Sequence, residues 1–173
     1  MNSSSYRPKI GKQVYIAKTA VVEGRVTVGD DSSIWHGCVL RGDIHKIEIG
    51  KCTNIQDLSV LHVETSRACK VGDYVTVGHS VILHACTVKE TSLVGMGSIV
   101  MDGAVLGPTT LLGAGSLVPH GMRLKPGALY FGRPAKFVRK LTRKEIRGLR
   151  EWAQRYVTYA KNHLEGRYES ISV

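Results

Sequence analysis

The chain reads as an all-β solenoid, a triangular prism of stacked parallel strands followed by one C-terminal α-helix. Three observations predict it: an aliphatic residue at every sixth position, glycines directly after many of those residues, and an abrupt change of period near Leu141. A period of six fits neither the 3.6 of an amphipathic helix nor the clustered turns of a hairpin meander.

The beat starts at Ile16, Val22, Val28, Ile34 and Leu40. After a three-residue slip it resumes at Ile49, Ile55 and Leu61, and after four extra residues at Val71, Val77 and Leu83. One residue is lost before Val88, and the phase then holds through Val94, Val100, Leu106, Leu112, Val118 and Leu124. Each unit is a strand and a corner, and three units make one turn of the prism with the aliphatic side chain inside. Gly29, Gly50, Gly72, Gly78, Gly95, Gly107 and Gly113 relieve crowding where the chain bends. Successive turns stack at strand spacing, about 4.8 Å. The repeat predicts about six coils over residues 10–138, with Gly132–Lys136 as the turn that leaves the last one.

From Leu141 the spacing becomes helical. Thr142-Arg143-Lys144-Glu145 reads as a capping box, and Ile146, Leu149, Trp152, Ala153, Tyr156 and Ala160 form an apolar stripe. The spacing predicts a helix over 141–165 that packs on the prism or on a neighbouring subunit.

At 173 residues the chain suits one domain with a short appendage. No apolar run approaches a membrane span, and Met1–Arg7 lacks the apolar stretch of a signal peptide. Cys38, Cys52, Cys69 and Cys86 stand singly, which favours reduced thiols in the cytoplasm over a zinc ribbon or a disulfide framework. The formal charge of +10 is localised: Arg123 to Arg150 holds ten Lys/Arg against one acid, Glu145. Such a run reads first as a solvated face, with attraction to anions second. No aromatic platform or nucleic-acid motif accompanies it, so neither nucleic acid nor membrane is an expected partner.

Stacking the coils predicts which side chains meet. Residues directly after the core positions form an outward column of Glu23, Arg41, His62, His84 and Met101. Residues two after the core positions form a second column of His36, Asp57, His79 and Met96. His62 and His84 are therefore stacked neighbours, whereas His79 faces another direction. All three reach one metal ion when His79 comes from an adjacent subunit of a symmetric trimer. Three imidazoles with an open position match a catalytic zinc shell. His36, His45, His120 and His163 lack such company and read as surface or packing residues.

The run Arg41-Gly42-Asp43, Asn54-Ile55-Gln56-Asp57, Val60-Leu61-His62-Val63, Val77-Gly78-His79 and Leu83-His84 resembles the γ-class carbonic anhydrases. Leu93–Ser98 and Gly113–Val118 extend the likeness, which covers residues 10 to about 165 and is nearest to the short bacterial branch. The resemblance implies a left-handed β-helix and a homotrimer. It implies zinc, or iron or cobalt, held by His62, His79 and His84, and hydration of carbon dioxide to bicarbonate. It assigns Gln56 to orienting the nucleophile, and Arg41 and Asp57 to an ion pair across the subunit interface. Asp43 and Asn54 become supporting polar residues. Tyr156, with Tyr159 as second choice, becomes the helix tyrosine that reaches the site.

Two departures stand out. The archaeal prototype carries an acidic loop after its first ligand, with a glutamate proposed as proton shuttle. Here the stretch is only Val63–Lys70, in which Glu64 is differently spaced from His62. A second active-site glutamate of the prototype is replaced by Ile44. Two other functions compete with hydration: an acyl-CoA transferase or thioesterase, for which the basic C-terminal segment would serve nucleotide phosphate, and a non-catalytic trimeric scaffold.

Overall fold

The computed structural model describes residues 6–168, so most of the segment read for a signal peptide lies outside the described residues. The chain is a left-handed parallel β-helix of about seven turns with a single C-terminal helix. The turn count exceeds the six expected because strand pairing begins at Lys9–Ile10, before the aliphatic beat. Pairing also continues past it through Ala128–Phe131, where Ala128 and Tyr130 take the inward places.

The periodic residues line the interior. From Val28 to Leu124 every one of them is buried, while Ile16 and Val22, in the first coils, are only partly so. The glycines after them are required by the next coil. A Cβ on Gly95 would sit 2.5 Å from Ala114 N and 2.7 Å from Leu112 O. A second ladder ties the corners together, one that a search for aliphatic periodicity passes over. Ser32 Oγ donates to Gly50 O at 2.7 Å, Thr53 Oγ1 to Gly72 O at 2.7 Å and Ser59 Oγ to Gly78 O at 3.0 Å. These buried hydroxyls satisfy carbonyls that the corners remove from the sheet ladder.

The predicted exit turn is instead the turn of a hairpin. Lys136–Lys140 pairs antiparallel with Ala128–Phe131 and forms an edge strand exposed along its whole length. Its lysines guard that edge against further pairing. No described helix is long and apolar enough to cross a membrane.

The helix spans Arg143–Leu164 and starts in the capping box: Glu145 N donates to Thr142 Oγ1 at 3.2 Å and Thr142 N to Glu145 Oε2 at 2.8 Å. It covers the face built by Tyr15–Ile16, Ser33–Ile34, Asn54–Ile55 and Thr76–Val77. It runs back down the prism, with Arg150 over Tyr74, Tyr156 against Trp35 and His163 against Tyr15. Leu149, Ala153 and Ala160 are its buried contacts. Trp152 is 43% exposed and leaves the predicted stripe, because the inward line falls on Ala153 and Tyr156.

Arg139, then the Thr142 N–H and hydroxyl, hold the Glu145 carboxyl down to about 2. A carboxyl depressed by folding adds stability above its unfolded value near 4.3, and loses it as pH falls toward the folded value. Helix ellipticity on thermal melting should therefore weaken between about pH 4.5 and 2. Glu145→Gln should lie below the parent at pH 6 and converge with it at pH 2.

Candidate metal centre between two faces

Coil stacking sets the first half of the site. His62 and His84 are register partners on adjacent strands, and Leu61 beneath one pairs with Leu83 beneath the other. Their side chains point outward together, with His62 Nδ1 3.1 Å from His84 Nε2. Asp43 lies 3.2 Å from the outer nitrogen of His62, Nε2, and also pairs with Arg41. Asp102 engages the outer nitrogen of His84, Nδ1. Partial desolvation pushes the Asp43 carboxyl up, but the Ile44 N–H, Arg41 and His62 outweigh it and hold it down to about 2. The His84 hydrogen bond likewise lowers Asp102.

Asp102 escaped the sequence reading. It sits one coil above Ala85, diagonal to His84, since Gly103 N donates to Ala85 O. The register contained that neighbour, but following straight columns alone passes it by.

The second half lies beyond a corner. His36, Asp57 and His79 stack as expected, with Leu58 N donating to His36 O and Ser80 N to Asp57 O. Asp57 Oδ2 is 2.9 Å from His79 Nδ1. Gln56 and Asn54 precede Asp57 on the chain and are buried. Gln56 Nε2 donates to Asn54 Oδ1 at 3.0 Å, and Asn54 Nδ2 donates to Thr76 Oγ1 at 3.0 Å. Within one chain Arg41 and Asp57 stand on different faces, each paired with a nearer group.

A cleft of about 370 Å³ opens beside Asp57, walled by Trp35, His36, Tyr156, Tyr159 and His163. Tyr156 packs edge-on against Trp35 at 5.6 Å, and its hydroxyl is pushed up by burial, then by Asp57. Tyr159 lies farther out and is 45% exposed. Both candidate tyrosines thus border the site, with Tyr156 the deeper.

The donor set fits a metal ion. Each of the three histidines has one ring nitrogen engaged by an aspartate, the arrangement that fixes tautomer and orientation in metal-binding imidazoles. Tetrahedral coordination at about 2.0–2.1 Å places two nitrogens about 3.3 Å apart; the inner nitrogens of His62 and His84 stand 3.1 Å apart. Among the described residues, one chain alone gathers no set of three ligands. The reason is directional: His79 faces away from the other two.

A family model described as bacterial transferase hexapeptide (six repeats) matches residues 7–42. The chain is 50% identical over 148 residues to a probable carbonic anhydrase of Methanocaldococcus jannaschii, covering 86% of this chain and 93% of that one. It is 44% identical over 169 residues to γ carbonic anhydrase 2, mitochondrial, of Arabidopsis thaliana, covering 94% of this chain and 61% of the longer plant protein. Among solved structures, a candidate acetyltransferase of Bacillus cereus superposes with a TM-score of 0.90 at 42% identity, covering 91% and 92% of the two chains. Register, paired histidines and these likenesses converge: the chain belongs to the γ-class carbonic anhydrase family of hexapeptide-repeat proteins.

Proposed function

We propose that this protein hydrates carbon dioxide reversibly to bicarbonate, as a homotrimer with one metal ion at each subunit interface. The observation that carries the reading is the division of three aspartate-held histidines between two faces: His62 and His84 on one, His79 on another. A second copy completes the shell by bringing its own His79 to the first copy's pair. An exposed apolar stripe supports that docking. Val21, Val60 and Ile82 flank the histidine pair, and Leu58, at φ 62° and 65% exposed, projects from the corner beside Asp57. Surface of this kind favours burial against a partner. Zinc suits three imidazoles, and iron and cobalt accept the same set.

A metal held there would supply an ionised water near neutral pH. The chain's own groups do the rest. Asp43, Asp102 and Asp57 orient the three imidazoles, each engaging one ring nitrogen and leaving the other to face the metal. Gln56, fixed by Asn54, presents an amide that orients the nucleophile toward carbon dioxide. Arg41 neutralises Asp43 and, across the interface, attracts bicarbonate and pairs with Asp57. Tyr156 lines the approach. Four free thiols suit a reducing cytoplasm.

Acyl-CoA chemistry is the second reading, favoured by the Bacillus cereus likeness and by the basic segment 123–150. Elemental analysis paired with stopped-flow hydration on the same metal-replete protein separates the two. About one metal per chain with measurable hydration supports the first. Metal-free, inactive trimers would move the assignment to acyl-CoA chemistry or to a scaffold.

A further inference from the structure

Hydration of one carbon dioxide by one water yields bicarbonate and one proton, and that proton must leave before the next turnover. Glu64 is badly placed to carry it. Its carboxylate accepts from Ser66 Oγ at 2.7 Å and Ser66 N at 3.3 Å, inside the tight turn closed by the Glu64–Arg67 bridge. Ile44 has no proton to give.

A different set of groups leads away from the site. Asp57 contacts the candidate ligand His79 on one side and lines the cleft on the other. His36 lies one coil below Asp57 and is exposed at the cleft wall. Coil spacing separates the two by a single step of about 4.8 Å. His36 is also oriented. Its Nδ1 is 3.0 Å from Thr19 Oγ1, which already accepts from Gly37 N at 3.2 Å. With Nδ1–H donating to the second lone pair of Thr19, Nε2 is left as a free acceptor facing solvent.

We propose that His36 is the residue that exchanges the product proton with solvent, an inference that rests on the hydration reading. The groups facing it across the cleft are Asp57 from its own column and Tyr156, Tyr159, His163 and Tyr168 from the helix and the residues after it. His163, packed among Tyr15, Trp35 and Tyr168, is lowered by burial and then by His36. The step is a pure proton transfer. Neutral His36 gains H⁺ at Nε2 through cleft water, becomes imidazolium, and passes that H⁺ to a buffer base, regenerating the imidazole. Thr19 accepts from Nδ1–H in both states.

His36→Gln keeps a polar side chain on an exposed position, so the trimer should assemble and melt as the parent does. Stopped-flow hydration in dilute buffer is expected to show kcat reduced at least about tenfold, with kcat/KM within about twofold of the parent. Concentrated imidazole should restore kcat. A parent protein without hydration activity would sink the hydration reading itself. An active parent with unchanged kcat in the variant overturns the role of His36 alone. Equal loss of kcat and kcat/KM without rescue by imidazole overturns it too, and makes His36 structural.

Discussion

His79→Ala should yield a folded trimer that has lost its metal and most of its hydration activity. The imidazole points outward and its side chain is 46% exposed, so its removal opens no cavity in the prism. Loss of a carboxylate behind a ligand already weakens metal affinity about 10- to 100-fold. Loss of the ligand itself should exceed that, and activity should fall at least about a hundredfold. Elemental analysis and stopped-flow hydration read the two effects on one sample. Mixing provides the sharper test. Subunits carrying His79→Ala and subunits carrying His84→Ala are each inactive alone. Refolded together, they form some interfaces at which an intact His79 meets an intact His62/His84 pair. Recovered activity in the mixture establishes a shared site. No recovery, with mixed trimers demonstrated by mass, would place the whole shell within one subunit and overturn the proposed assembly.

The largest stability effect is expected at Gly95→Ala. The added methyl would lie 2.5 Å from Ala114 N, 2.7 Å from Leu112 O and 2.8 Å from Ala114 Cα. All three are backbone atoms of the next coil, held by the Gly95 N to Leu112 O hydrogen bond at 2.8 Å. No side chain can rotate away, so the coils must separate locally. Overpacking of this kind costs about 3 kcal/mol at the upper end of its usual range. For a chain of this size that lowers Tm by roughly 6–12 °C. Gly148→Ala is the control: it lies in the helix, and an added Cβ meets nothing within 4 Å. It should stabilise by about 0.5–1 kcal/mol. Calorimetry on both variants decides the matter. Equal melting temperatures would mean that the glycines after the core positions do not set coil spacing.

The six-residue beat, its slips and the capping box were all legible from one line of letters. A strand that returns to the same face every third unit makes spatial neighbours of residues at predictable distances in sequence. That regularity explains why His62 and His84, 22 residues apart, could be paired from the register alone. The helix was legible because its apolar spacing differs from the repeat, although the placement of Trp152 was not. A spacing of three or four residues leaves the angle of the inward line open by one position.

Tertiary structure decided what the linear pattern leaves free. Asp102 reaches His84 diagonally between coils, and diagonal contacts depend on rotamers rather than on register. The return strand Lys136–Lys140 carries no six-residue beat, so only strand pairing reveals it. Asn54 is polar yet buried on a strand that a helix distant in sequence covers. His36 and His163 lie far apart in the chain and share a cleft for the same reason. Periodic sequence thus determined the prism, its core and the histidine column, since each coil repeats the geometry of the last. The cleft and the antiparallel return strand arise where the chain departs from the repeat and packs back on itself. There, position follows from contact between distant segments, which no local period encodes.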